Sequence, residues 1–273
     1  IEAGAFTLER WLQLAGNSTV KVSFPYTPGM YADPEKTVVA SLNRIIKTET
    51  IEELNEFGVD SRNGTRNWTL LRPGSWHMRF VDAVAWAQRH PNQEIYMNQA
   101  MVADLGSEAL NQLKSNVEIH GLKLVSPSLW LSSGVVTTGY HVDGPENLLV
   151  QMTGTKEISL LRPSEEPNLQ YEEVIDAEPH VDDVLADGPA VFGDLKHLER
   201  RSRGHSVLDV AAAPSAVPEE FLNKYQKAEG MSCTIHPGDV LYIPSAWHHA
   251  VLTLPDESCT ALSVNLWYRR QAK

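Results

Sequence analysis

His141, Val142 and Asp143 form a His-x-Asp run. If the run lies in a β-strand, residues i and i+2 point to the same face. Imidazole and carboxylate then project together, with Val142 on the opposite side. A second run, Trp247-His248-His249-Ala250-Val251, follows the turn-and-strand segment Pro237-Gly238-Asp239-Val240-Leu241-Tyr242-Ile243-Pro244. Strand neighbours alternate, so its two histidines cannot both face inward. One imidazole from this strand, added to the first pair, completes two imidazoles and one carboxylate on one face of a divalent metal. That set leaves coordination positions open and is the ligand set of non-haem Fe(II) oxygenases. A structural zinc site closes its positions with protein ligands, often thiolates, and none is placed to do so here. Lys156 begins a strand just after Gly154. Inside a barrel mouth its ammonium is a point charge for an acidic co-substrate. Thr138, three residues before His141, adds a hydroxyl.

These residues need a scaffold that brings distant segments together. After Ser126 the chain reads as short segments rich in Val, Ile, Leu, Tyr and Trp, separated by Gly, Pro and Asp. Strands are predicted near Ser128–Ser132, Thr138–Val142, Asn147–Thr153, Lys156–Arg162, Ser232–His236, Asp239–Ile243, Trp247–Leu252 and Thr260–Tyr268. Many short strands between turn signals indicate a sandwich or barrel. Eight of them fit a double-stranded β-helix (a jelly roll or cupin barrel), giving a mainly β fold with flanking helices.

Upstream, Thr7 is placed to cap an amphipathic helix carrying Leu8, Trp11, Leu12 and Leu14. Thr19–Phe24 alternates as a strand does. Pro34–Ile46 is predicted helical, with Asp33 as cap and Pro34 at the first helical position. Ser75–Arg89 is predicted as a second helix, with Phe80, Val81, Val84 and Ala85 on one face and Pro91 closing it. Glu94–Val102 reads as a strand and Ser107–Leu113 as a short helix. Residues 163–230 break the rhythm, with weak alternation. Nine acidic residues and no Lys or Arg lie between Ser164 and Asp187, and Lys196, Arg200, Arg201 and Arg203 then reverse the sign. An insertion of this length in a compact domain is functional, or else a solvated excursion. The whole chain is expected to be a single domain: a support region over 1–125 and a barrel core over 126–268 with the insertion at 163–230.

The net charge of −12 gives little basis for tracking phosphates, which argues against a nucleic-acid partner but not against a basic peptide. No apolar run is long enough to span a membrane as a helix. Two cysteines, Cys233 and Cys259, are too few for a disulfide framework, although one bridge between them stays open. Sequons at Asn17, Asn63 and Asn67 leave a lumenal setting open beside an intracellular default.

The segment from Gly134 to Pro163, with His-Val-Asp, Glu-Asn-Leu-Leu-Val-Gln and Gly-Thr-Lys, resembles the heart of a jumonji-C (JmjC) domain. So do Pro-Gly-Asp-Val-Leu-Tyr-Ile-Pro, Trp-His-His-Ala-Val and Ser-Val-Asn-Leu-Trp-Tyr. Within that family the chain most resembles the small hydroxylase branch, which includes an asparaginyl hydroxylase and a tRNA wybutosine hydroxylase. The resemblance implies Fe(II) held by His141, Asp143 and, counted from Pro244 and Trp247, His249 rather than His248. It implies that Lys156 pairs with the distal carboxylate of 2-oxoglutarate, helped by the Thr138 hydroxyl, and that Tyr96 reaches the same carboxylate. Asn147 and Asn265 match polar residues lining the metal and co-substrate pocket. Asn98 is matched to a substrate-side amide and Trp267 to a pocket wall. The expected activity consumes 2-oxoglutarate and O2 to hydroxylate a protein or peptide side chain. Lysine demethylation, RNA hydroxylation and a catalytically silent metal-binding cupin are the alternatives. A monomer is expected, because the branch's dimer-forming C-terminal helices have no counterpart here.

Overall fold

The computed structural model describes residues 7–24, 40–41, 44–47, 68–90, 94–116, 119–171, 174–184, 190–202, 206 and 219–270. The support region contains α1 (Leu8–Ala15), β1 (Thr19–Phe24), β2 (Ala40–Ser41), β3 (Arg44–Lys47), β4 (Trp68–Leu71), β5 (Gly74–Arg79), α2 (Phe80–Arg89), β6 (Ile95–Met101), α3 (Val102–Leu105) and α4 (Ser107–Asn116). Four strands follow: β7 (Leu122–Ser133), β8 (Val136–Val142), β9 (Glu146–Thr153) and β10 (Thr155–Leu161). The insertion carries a 3-10 turn (Pro163–Asn168), β11 (Val174–Val184), β12 (Ala190–Ser202) and α5 (Glu219–Tyr225). The chain returns through β13 (Gly230–Ile235), β14 (Val240–Ile243), β15 (His248–Leu254) and β16 (Ala261–Arg270).

The eight strands predicted after Ser126 are all present and split into two facing sets. One is β14-β9-β16-β7, which continues through β6, β1 and β5 into a seven-stranded sheet. The other is β13-β10-β15-β8, with β2 at its edge. Pairing within both sets of four is antiparallel, as in a jelly roll. The core lies where α1 and α2 cover the large sheet. Trp11, Val22, Phe80, Trp86, Leu129, Leu131, Leu262 and Val264 are buried together there. Thr7 caps α1 as expected, its hydroxyl accepting from the Arg10 amide at 3.2 Å. Among the described residues, no helix is long and apolar enough to cross a membrane. Cys233 and Cys259 are not joined.

Three readings change. The helix predicted over Pro34–Ile46 falls partly outside the described residues; its described part is strand, in β2 and β3. The helix predicted from Ser75 begins only at Phe80, because Gly74–Arg79 pairs along its whole length with β1, from Thr19↔Arg79 to Phe24↔Gly74. That partner is 50 to 60 positions away, and long-range pairing overrides local helical preference. The buried face of α2 is accordingly Phe80, Ala83, Val84, Trp86 and Ala87, with Val81 exposed. The insertion is no bare excursion. β11 and β12 form a long hairpin with three register shifts, and β11 joins β4 in parallel, building a third sheet, β12-β11-β4-β3.

Gly154 closes the β9–β10 turn at φ +68°, and a Cβ there would sit 2.6 Å from both Ala261 Cβ and the Leu254 carbonyl oxygen. Gly154→Ala is therefore expected to destabilise the fold by about 1–3 kcal/mol. A shift of the urea midpoint measures it, and an unchanged midpoint contradicts the packing described.

Candidate active site

A cavity of about 340 Å³ opens between the two barrel sheets. All ten residues singled out above line it: Tyr96, Asn98, Thr138, His141, Asp143, Asn147, Lys156, His249, Asn265 and Trp267. They come from both sheets. β6, β9 and β16 supply one wall; β8, β10 and β15 supply the other.

His141 lies near the end of β8 and Asp143 just beyond it, two residues apart and on one side. His249 on β15 pairs directly opposite His141. One nitrogen from each imidazole and one carboxylate oxygen lie within 4.8 Å of one another. His249 Nε2 is 3.3 Å from Asp143 Oδ2, and the two rings are 4.2 Å apart. Metal–ligand bonds of about 2.1 Å bring neighbouring ligand atoms to roughly 3 Å, so the trio needs little movement to close on one ion. Both imidazoles are oriented from behind. His141 Nδ1 lies 2.9 Å from the Gly139 carbonyl oxygen, and His249 Nδ1 lies 3.2 Å from that of Trp247. A proton on each Nδ1 leaves the Nε2 lone pair for a metal. The donor set and its tautomers thus fit a divalent ion with open coordination positions.

His248 points the other way, as strand alternation requires. It is buried all the same, because Tyr171 of the insertion covers the outer face of β15, its hydroxyl 2.9 Å from His248 Nδ1. Burial lowers the His248 pKa. Tyr140, Leu161, Leu169, Tyr171, Phe221 and Ala250 complete this outer cluster. The insertion therefore seals the back of the strand that carries His249.

A second irregularity sets Thr138. Between His141↔His249 and Thr138↔Val251, β8 spends one more residue than β15. This bulge lets Thr138 and His141, three apart, face the same cavity. The Tyr96 phenol, raised by burial, shares a hydrogen bond with Thr138 and stays protonated.

Lys156 is 4% exposed. Its Nζ donates to Thr253 Oγ1 at 2.8 Å, and burial alone pulls its pKa down to about 7. No neighbouring carboxylate offsets that cost among the described residues. Both amide atoms of Asn147 are buried with no hydrogen-bond partner among the described residues. A buried amine whose described partner is a neutral hydroxyl, beside a buried carboxamide, is suited to a bound carboxylate. The indole of Trp267 donates to Ser128 Oγ at 2.9 Å and its ring walls the cavity.

The loop after Asp143 is stapled to the turn before His249. The Ala246 amide donates to the Asp143 carbonyl at 3.0 Å, and Ser245 Oγ donates to that of Gly144 at 2.6 Å. Glu146 locks the pair, its carboxylate accepting from the Tyr242 hydroxyl at 2.6 Å and the Ser245 amide at 3.0 Å, with Arg270 beside it. These bonds hold the Glu146 carboxyl below its ordinary pKa, the Tyr242 bond most of all. Its stabilisation is thus present above the unfolded carboxyl pKa and lost as pH falls through the lower folded value. Glu146→Gln is expected to cost about 1–2 kcal/mol at neutral pH. The difference from the parent should vanish in acid, as chemical denaturation across pH will show.

Sequence reasoning missed Arg72 and Gln99, which also line the cavity. The only signal was the polar pair Asn98-Gln99 interrupting an apolar strand.

Residues 47–273 match the cupin-like domain family. The human bifunctional peptidase and (3S)-lysyl hydroxylase JMJD7 is 26% identical over 69% of this chain and 57% of its own length. The lysine-specific demethylase JMJ32 of Arabidopsis thaliana is 28% identical over 56% of this chain and 44% of its own. The tRNA wybutosine-synthesizing protein 5 of Danio rerio is 27% identical over 47% and 28%. The chain spans about half the length, or less, of these curated relatives. With a jelly-roll barrel, a His-x-Asp and a distal histidine converging in its mouth, and a family match across most of its length, this chain belongs to the cupin-like JmjC family.

Proposed function

We propose that this chain is an Fe(II)- and 2-oxoglutarate-dependent oxygenase that hydroxylates a side chain of a protein or peptide. The observation that carries the reading is the convergence of His141, Asp143 and His249 in one cavity with a buried lysine that has no carboxylate partner among the described residues. In the overall reaction 2-oxoglutarate, O2 and a substrate C–H give succinate, CO2 and a C–OH. Fe(II), when bound, supplies the redox chemistry by which the two oxygen atoms are divided between succinate and substrate.

The residues of the chain do the rest. Gly139 and Trp247 carbonyls hold the imidazoles in the metal-binding tautomer. Lys156, with the Tyr96 and Thr138 hydroxyls, receives the distal carboxylate of the co-substrate. Asn147 and Asn265 supply amide contacts, and Trp130 and Trp267 wall the cavity against water. No general base is needed, because the substrate loses a hydrogen atom and not a proton.

The test is succinate formation from 2-oxoglutarate with Fe(II) and ascorbate. Iron-dependent succinate is expected; its absence from protein that binds the metal contradicts the reading. Lysine demethylation is the second reading, favoured by the demethylase names among the relatives. Formaldehyde release from methyl-lysine peptides separates the two.

A further inference from the structure

The cavity wall carries three groups that the scheme above does not use for metal or co-substrate: the Arg72 guanidinium and the Asn98 and Gln99 carboxamides. Two local devices put them there. Between Met97↔Leu131 and Ala100↔Leu129, two residues of β6 oppose the single Trp130 of β7. In an unbroken strand Asn98 and Gln99 would face opposite ways. The bulge, with Gln99 at φ +52°, lets both line the cavity, while both side chains remain exposed to solvent. A non-glycine residue held in the left-handed region is strained, and such strain gathers at functional sites.

Arg72 stands in the two-residue link between β4 and β5, followed by Pro73, whose ring restricts the backbone of both. The insertion braces this corner. β11 pairs with β4 through Ile175↔Thr69, Asp176↔Leu70 and Ala177↔Leu71. Ser75 Oγ donates to Glu178 Oε1 at 3.1 Å. A Cβ at Gly74 would lie 2.6 Å from Val181 Cγ2 and 3.1 Å from the Pro179 carbonyl oxygen. The hairpin therefore packs directly behind the loop that presents the guanidinium.

Among the described lining residues, Arg72 and Lys156 are the cationic ones and Asp143 the anionic one. A divalent ion and a dicarboxylate added to these three side chains leave the set with a net positive charge. A guanidinium has several N–H donors, so one partner does not exhaust it, and each carboxamide adds an NH2. Among the described residues, Asp143 is the one carboxylate that lines the cavity, and it belongs to the metal-binding trio.

We infer that this mouth selects a substrate side chain ending in a carboxylate or carboxamide and rejects lysine. The inference rests on the oxygenase reading and adds the substrate class to it. A planar acceptor group can take paired hydrogen bonds from Arg72 while the carboxamides hold its second oxygen or its NH2. A lysine ammonium would meet like charge in a partly desolvated space. Hydroxylation itself follows the balanced reaction given above.

The experiment uses short synthetic peptides with randomised flanks and one fixed central residue: Asp, Asn, Glu, Gln, Lys or methyl-lysine. They are incubated with the protein, Fe(II), 2-oxoglutarate and ascorbate, and scored by mass spectrometry for gain of one oxygen. At least one acid or amide pool is expected to exceed the lysine pools by roughly tenfold or more. Arg72→Glu should narrow or reverse that preference, and Gln99→Ala, at an exposed site, should weaken it with the fold intact. Modification of the lysine pools at a matching or higher level overturns the inference, as does modification of none while iron-dependent succinate forms. An anaerobic absorbance titration with Fe(II) and 2-oxoglutarate distinguishes the two failures: loss of the metal-to-co-substrate band strikes the oxygenase reading, and its presence confines the failure to substrate class.

Discussion

Asp143→Ala is expected to remove Fe(II) binding and succinate formation together, each by more than ~100-fold. Asp143 supplies the only anion of the trio, so its loss leaves two neutral imidazoles to hold a divalent ion. The metal-free fold should stay within about 1 kcal/mol of the parent. The carboxylate is a quarter exposed, and it is the backbone carbonyl of Asp143, retained in the variant, that accepts from Ala246. Calorimetric titration with Mn(II) and thermal unfolding of the metal-free protein read the two quantities separately. The neighbouring histidines sharpen the result. His249→Ala should reproduce the loss of metal. His248→Ala should keep the metal and lower stability, because that ring is buried against Tyr171 on the opposite face. A His248 variant that loses metal while the His249 variant keeps it would reverse the assignment.

The second large effect is two-sided. Lys156→Met should raise the apparent KM for 2-oxoglutarate by roughly 100-fold, since the distal carboxylate loses its charged partner. The same change should stabilise the ligand-free protein by about 2 kcal/mol at pH 7 and below. Burial brings the folded pKa of Lys156 down to about 7 from an ordinary 10.5, so folding opposes protonation. The penalty is fully present below the folded pKa and fades as pH rises toward the unfolded value. The gain from methionine should therefore shrink between pH 7 and about 10. Bound 2-oxoglutarate should restore the charge, so binding at pH 8 takes up a proton, visible as a buffer-dependent heat that is absent in the variant. A lysine carrying no penalty in the free protein, or a variant with unchanged KM, contradicts the role given to it.

The barrel and its ligands were legible because their signals are local. His141 and Asp143 need only strand alternation to share a face. The run from Pro237 to His249 is a turn, a strand, a turn and a strand, each marked by Pro or Gly. Where the deciding partner lay far away, local reading failed. Ser75–Arg79 looks helical beside Phe80–Arg89 and becomes strand because β1 pairs with it. β11 contains Asp-Ala-Glu-Pro-His and slips register three times against β12, so no clean period marks it. Arg72 and Gln99 enter the cavity through a corner and a bulge, and neither leaves a periodic trace in sequence. Thr138 was noticed by its proximity to His141, but only the bulge in β8 explains how two residues three apart face one cavity.

The central claim is that one metal and one dicarboxylate sit side by side in this barrel. A crystal structure of the protein with Mn(II) and N-oxalylglycine, an inert analogue of 2-oxoglutarate, tests it most directly. Manganese is predicted on His141 Nε2, an Asp143 carboxylate oxygen and His249 Nε2, with the far carboxylate of the analogue on Lys156 Nζ. Metal bound elsewhere, or an analogue whose far carboxylate avoids Lys156, contradicts the account.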